Sequence, residues 1–223
     1  MKLALFDLDG TLLAIDSDHS FGEFMVRLGW ADADEFRRGN DAFYAQYLAG
    51  ALDIAAYIRF ATAPWRERTA EEQAAASARF IDEVIAPAID ARARALVERH
   101  ARAGEELALV TATNEFVTRP IAALFGIRTL IATELARDAA GRVTGEIHGV
   151  PAYREGKVQR VQQWLEQQGR ACDDYARITF YSDSTNDLAL LERVSHPVAT
   201  NPAPALERVA RERGWPVLRL FEQ

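Results

Sequence analysis

The segment Leu3-Ala4-Leu5-Phe6-Asp7-Leu8-Asp9-Gly10-Thr11 decides how the rest of the chain is read. A short apolar run followed by a polar, glycine-containing turn describes a buried strand and the loop after it. That loop carries two carboxylates and a hydroxyl. Two further apolar runs end the same way. Residues 107–110 lead into Thr111, Ala112, Thr113 and Asn114, and residues 178–181 lead into Ser182-Asp183-Ser184-Thr185-Asn186-Asp187. In an open parallel sheet these carboxyl ends lie along one edge, where ligands bind. Lys157, near the start of a helical stretch, can reach the same edge.

Outward from these runs the pattern alternates. Strands are expected at 107–110, 129–132, 178–181, 198–199 and 217–220, with helices at 115–125, 155–168, 187–194 and 203–213. Gly141 and Gly145 mark a hairpin or a long loop over 137–148. Such alternation implies a parallel sheet covered on both faces. Residues 15–88 differ, with helices expected at 20–29, 33–48, 54–61 and 69–85. Ser20 and Thr69 are the N-caps read for the first and last of these, and Glu71 and Glu72 follow Thr69 in its first turn. Eleven of the 21 aromatic residues fall in this third of the chain, which suits the core of a small helical bundle. Pro87 interrupts the pattern, and 89–102 resumes it up to Gly104. The fold expected is α/β, a Rossmann-like parallel sheet with helices on both faces, formed by residues 1–14 and 89–223. The all-helical block 15–88 is inserted after the first strand.

Asp7, Asp9, Asp183 and Asp187 gathered at one edge would repel each other strongly. Two unit charges about 4 Å apart interact by roughly 4 kcal/mol at an effective dielectric near 20. A hard divalent cation with oxygen ligands suits carboxylates, a backbone carbonyl, waters and a phosphate oxygen, and Mg²⁺ fits that description. Lys157 adds one more positive charge. Even so, four aspartates and a phosphate dianion outweigh +3, and a protonated Asp9 would ease the balance. The arithmetic motivates both a metal and an acid role for one aspartate.

The order and spacing of these residues resemble the haloacid dehalogenase superfamily of phosphatases over nearly the whole chain. Asp7-Leu8-Asp9-Gly10-Thr11 looks like its first motif, Val110-Thr111 its second, Lys157 its third, and Asp183 with Asn186-Asp187 its fourth. The helical insert resembles the cap of the phosphoserine-phosphatase-like branch. The resemblance implies that Asp7 is the nucleophile and a Mg²⁺ ligand. Asp9 would be the acid and base, with its carbonyl on the metal. Thr111 and the N–H groups after it would hold phosphoryl oxygens, and Lys157 would neutralise charge on the phosphate and on Asp7. Gly10, Ala112 and Asn114 join Thr111 and Lys157 as substrate-binding candidates. Asp183 would ligate the metal directly, and Asn186 and Asp187 through water or from behind it. The fourth motif usually opens with glycine, where this chain has Ser182. For the leaving group the cap candidates are Asp16, Asp18, His19, Glu23 and Arg27.

The expected reaction is hydrolysis of a small phosphorylated metabolite such as phosphoserine or another amino-alcohol phosphate, for example histidinol phosphate. Phosphotransfer to a second alcohol, as in a sugar-phosphate mutase, uses the same groups. A phosphate-ligand sensor would have no need of Asp9. The net charge of −7 argues against a nucleic-acid partner. No apolar run is long enough to span a bilayer. Asp7 and Asp9 interrupt the first apolar residues too early for a signal-peptide core, so cytoplasmic residence is expected. One cysteine, Cys172, rules out an internal disulfide and reads as a small filler between a helix and a strand. His19, His100, His148 and His196 lack metal-ligand spacing, and His19 alone lies near the cap entrance.

Overall fold

The computed structural model describes residues 1–221. The chain starts with β1 (Lys2–Phe6) and then runs through α1 (Ser17–Arg27), α2 (Ala33–Leu48), α3 (Ile54–Thr62) and α4 (Ala70–Phe80). A π-helical turn at Ile81–Ile85 and the short α5 (Ala86–Ala88) lead to α6 (Ala91–Arg102). Then follow β2 (Glu106–Asn114), α7 (Glu115–Leu124), β3 (Thr129–Arg137), β4 (Val143–His148) and α8 (Glu155–Gln167). The last elements are β5 (Arg177–Ser182), α9 (Leu188–Leu191), β6 (His196–Thr200), α10 (Pro204–Arg213) and β7 (Val217–Leu218).

The strands form one sheet in the order β4-β3-β2-β1-β5-β6-β7, parallel throughout except for β4, which turns back along β3. Alternation along β1 explains the layers: Leu3 and Leu5 face one side, Ala4 and Phe6 the other. The first pair packs with Val158, Val161 and Leu165 of α8 and with Leu206 and Ala210 of α10. The second belongs to a cluster that runs through Val117 and Ile121 of α7 to Phe21, Phe24, Trp65 and Phe80 of the helical block. The insert therefore shares a continuous apolar core with the sheet, and its aromatics build that core. Trp65 stacks on Phe116 at 4.2 Å.

Phe6 pairs with Leu109 on one side and Tyr181 on the other, which brings Asp7, Val110 and Ser182 to one level. The N–H of Asp7 continues the ladder to Tyr181 O at 2.9 Å. β1 lies where the chain order reverses across the sheet, so its carboxyl end opens into the crevice of the fold.

Several boundaries differ from the sequence reading. α1 starts at Ser17 rather than Ser20, because the carboxylate of Asp16 accepts from His19 N and caps it. β2 runs on to Asn114, with its register against β3 slipping after Val110. β3 likewise extends past Ala132 to Arg137 and closes a hairpin with β4, the first of the two options for that stretch. The expected helix 187–194 shrinks to a 3₁₀ turn, Thr185–Asp187, and the four-residue α9. Cys172 sits between α8 and β5 as expected but is exposed, so it fills no core. Thr69 caps α4 in a reciprocal capping box with Glu72. No helix among the described residues is long and apolar enough to cross a membrane.

Candidate active site

Asp7 is buried at the end of β1. Its Oδ1 accepts from Lys157 Nζ at 2.7 Å and its Oδ2 lies 3.2 Å from Thr11 Oγ1. The same Thr11 hydroxyl is 3.4 Å from Asp183 Oδ1, so two motifs separated by most of the chain share one donor. Lys157 also donates to Asp187 Oδ2 at 2.8 Å. Burial lowers the proton affinity of the Lys157 ammonium, but the charges of Asp187 and Asp7 outweigh that and hold it protonated.

Two glycines make this packing possible. Gly10 has φ +72°, and a Cβ there would lie 2.3 Å from Asp183 Oδ2. Gly156 sits immediately before Lys157, where a Cβ would come within 2.0 Å of the Pro151 carbonyl oxygen. A side chain at Gly10 would push Asp183 aside, and one at Gly156 would disturb the turn that leads into Lys157.

Asp9 has donors of its own. Ser17 N donates to its Oδ1 at 2.7 Å and Thr113 Oγ1 to its Oδ2 at 3.0 Å. Burial, the Asp16 charge and the Asp7 charge raise its carboxyl well above the usual range, against the lowering effect of the Ser17 bonds. Thr111 Oγ1 accepts from Thr113 N at 3.2 Å, which leaves its hydroxyl proton available to a ligand.

The cavity over these groups is lined from the core by Asp7, Asp9, Thr111, Ala112 and Thr113. The insert contributes acidic Asp16 and Asp18, polar His19 and Asn40, and the apolar and aromatic Phe43, Tyr44, Tyr47, Leu52, Ile54 and Tyr57. The cavity is partly open to solvent. No arginine or lysine is among the described residues that line it. Burial, and then the Asp16 charge, raise the Asp18 carboxyl to about 7, although the Tyr57 hydroxyl hydrogen-bonds it. Burial also raises Asp16. The Tyr47 phenol, buried and facing the charges of Asp7, Asp187 and Asp183, is held neutral.

Asp7, Asp9, Gly10, Thr111, Ala112, Lys157, Asp183 and Asp187 thus meet at one sheet edge. Asn114 does not join them: its Oδ1 caps α7 by accepting from Val117 N at 3.3 Å, and its Nδ2 is 3.4 Å from Asp18 Oδ1. A helix N-cap has its side chain committed to the backbone. Asn186 donates instead to Tyr47 O at 3.1 Å, on the underside of the insert. Of the five insert candidates, Asp16, Asp18 and His19 line the cavity. Glu23 pairs with Arg37, and Arg27 lies over the Phe24 ring. Each turn of α1 carries the chain about 5.4 Å farther along its axis, and those two sit beyond reach.

Sequence reasoning missed Thr11 and Thr113 as carboxylate partners, and the aromatic wall. It also left Ser182 open: its hydroxyl donates to Asp187 Oδ2 at 2.7 Å, so it anchors a carboxylate where a glycine could not. The signal for the wall is the aromatic density of 43–57, which a bundle core explains as readily as a ligand-facing surface.

The residues suit a Mg²⁺ ion. Burial, then the charges of Asp7 and Asp187, raise the Asp183 carboxyl well above the usual range, with Lys157 the one cation opposing this. A dication held by Asp7 and Asp183 would relieve that repulsion. Among the described residues no three His, Cys, Asp or Glu side chains form a metal cage. Mg²⁺ needs none, since it binds through one or two carboxylates and keeps several waters.

A family model described as haloacid dehalogenase-like hydrolase matches residues 4–192. The histidinol-phosphatase of Neisseria meningitidis serogroup C is 44% identical over 217 residues, covering 97% of this chain and 98% of that one. A phosphoserine phosphatase of Mycobacterium tuberculosis is 32% identical over 217 residues, 96% of this chain and 69% of its own. Among solved structures, a protein of unknown function from Bordetella pertussis Tohama I superposes with a TM-score of 0.93 at 47% identity, covering 99% of each chain. A substrate-bound phosphoserine phosphatase shares the fold with a TM-score of 0.68 at 16% identity, over 97% of this chain and 92% of that one. The chain belongs to the haloacid dehalogenase-like hydrolases.

Proposed function

We propose that the protein is a Mg²⁺-dependent phosphomonoesterase whose substrate is a phosphorylated amino alcohol, with histidinol phosphate as the specific assignment. One observation carries the choice: the wall facing the nucleophile combines Asp16 and Asp18 with aromatic rings and holds no arginine or lysine among the described residues. Buried carboxylates with no arginine or lysine beside them favour a ligand that brings a cation. Histidinol phosphate offers an ammonium and a planar imidazole. Phosphoserine carries a carboxylate that would meet more acid. The 44% identical histidinol-phosphatase agrees with this choice, and the phosphoserine phosphatase relative supports the same reaction on a different leaving group.

In this reading residues 1–14 and 89–223 are the catalytic core and 15–88 are the cap. Asp7 Oδ attacks phosphorus, forming an aspartyl-phosphate as the P–O bond to the substrate alcohol breaks. Asp9, whose carboxyl burial and the Asp16 charge raise well above the usual range, gives a proton to the leaving oxygen. The resulting Asp9 carboxylate takes a proton from water, which attacks the aspartyl-phosphate and releases phosphate and free Asp7. Thr111 and the backbone N–H groups at 112 and 113 donate to the phosphoryl oxygens, with Gly10 leaving room beside them. Lys157, bonded to Asp7 and Asp187, holds the nucleophile in place and spreads the negative charge. Mg²⁺, held by Asp7, Asp183 and the Asp9 carbonyl, would add positive charge at the phosphoryl oxygens, with Asp187 behind it.

Phosphate release with Mg²⁺ tests the assignment. Histidinol phosphate should be hydrolysed with a kcat/KM at least about tenfold above phosphoserine, the equivalent of about 1.4 kcal/mol of transition-state discrimination. Equal rates, or a preference for phosphoserine, would refute the substrate. Consumption without free phosphate would point to phosphotransfer.

A further inference from the structure

We propose that Arg154, together with Asn186, is the latch that fastens the insert over the cavity, making Arg154 a positioning residue for the substrate wall; this rests on the phosphatase reading. Two core side chains reach across to one short stretch of backbone. The Arg154 guanidinium donates to Gly50 O at 2.7 Å, and Asn186 Nδ2 donates to Tyr47 O at 3.1 Å. One acceptor lies in the last turn of α2 and the other in the turn just past it. There Gly50, at φ +67°, closes the helix with Gly50 N donating to Tyr47 O at 3.0 Å and Ala51 N to Gln46 O at 2.9 Å. The exposed carbonyls of a helix C-terminus carry partial negative charge, which suits a guanidinium. Gly50 also permits the approach, since a Cβ there would meet Asn186 Oδ1 at 3.3 Å.

What is latched matters. Tyr47 lines the cavity and its ring packs 6.1 Å from that of Tyr153, the residue before Arg154. The Arg154 backbone is strained: φ is +52° and ψ −123°, a conformation that favours glycine. It persists at the N-cap of α8, where Arg154 O accepts from the N–H of Lys157 at 3.0 Å. A glycine would serve this turn at less backbone cost but could not bond the insert. The same guanidinium lies 3.9 Å from Glu155 Oε2, too far to compete with the carbonyl. One residue therefore joins the helix that presents Lys157 to the wall that covers the nucleophile.

R154G separates the two roles, because it relaxes the backbone and deletes only the guanidinium's bond to Gly50 O. If the closed insert becomes a minority state, the apparent affinity falls by the closed fraction while bound substrate still drives closure. The expected result is a KM for histidinol phosphate about tenfold higher with kcat within about threefold, and partial recovery in R154K. General damage to the fold would lower kcat and leave KM in place. Independently of any activity, amide hydrogen exchange at residues 46–52 should speed up about tenfold in R154G. Unchanged exchange there, or an unchanged KM, would overturn the latch. Faster exchange in a protein that releases no phosphate would keep the latch and refute the enzymatic reading instead.

Discussion

Asp18 concentrates the cost of this site in one side chain. Its folded carboxyl titrates near 7, because burial and the Asp16 charge oppose ionisation. The folded state then binds a proton that the unfolded chain has already lost, so stability falls as pH rises from about 4 to 7 and is flat above. At about 1.4 kcal/mol per pH unit this amounts to roughly 2–4 kcal/mol at pH 8. Asp18→Asn should stabilise the free protein by that order in urea unfolding at pH 8 and by much less at pH 5. The same variant should lose about tenfold or more in kcat/KM for histidinol phosphate, since the ammonium loses its partner. A gain in stability without a loss of turnover would separate Asp18 from the substrate. Such a conflict between stability and sequence logic is expected where a ligand completes the structure.

At the scale of elements, the loop into α8 presents Lys157, and Gly156 sets how closely it can approach. Gly156→Ala would force a methyl into the Pro151 carbonyl, a backbone atom that cannot swing away. The expected outcome is a kcat/KM at least about a hundredfold lower with a reduced melting temperature, checked by steady-state kinetics and circular dichroism. Near-normal kinetics would mean that the α8 turn has slack. The strand ends themselves were legible in the sequence because apolar runs and the polar residues after them are local signals. The start of α1 was not, since Ser20 and Asp16 are both good caps and packing chose between them. The 3₁₀ turn before α9 was equally hidden, because Ser182 and Ser184 hold it by short-range bonds that no apolar period records. The contacts of Arg154 and Asn186 with Gly50 and Tyr47 span 104 and 139 residues, and nothing near either partner announces the other.

For the molecule as a whole, an acidic chain of net charge −7 gathers much of its repulsion at one sheet edge. Asp7, Asp183 and Asp187 face one another with Lys157 as the compensating cation. Mg²⁺ should therefore act on stability as well as on rate. Millimolar Mg²⁺ is expected to raise the melting temperature by a few degrees over protein in EDTA, in line with stabilisation by a ligand that binds the folded state. Asp183→Asn should melt at least as high as the parent in EDTA but show no rise with Mg²⁺. If the parent melts identically with and without the metal, the carboxylates are balanced in some other way. The parallel sheet, its helical insert and the shared sheet edge could all be read from the order of motifs. Which insert residues face the cavity could not, because α1 and α2 are partly apolar on more than one face and the shared core decides their rotation.

The most direct test looks for the covalent step itself. Protein mixed with histidinol phosphate and Mg²⁺ is quenched in acid within the first turnover, and the peptide containing Asp7 is analysed by mass spectrometry. A phosphoryl group on Asp7, present during turnover and absent from Asp7→Asn, is the expected result. Phosphate release that proceeds with Asp7 never modified, or that survives in Asp7→Asn, would contradict the assignment of Asp7 as nucleophile.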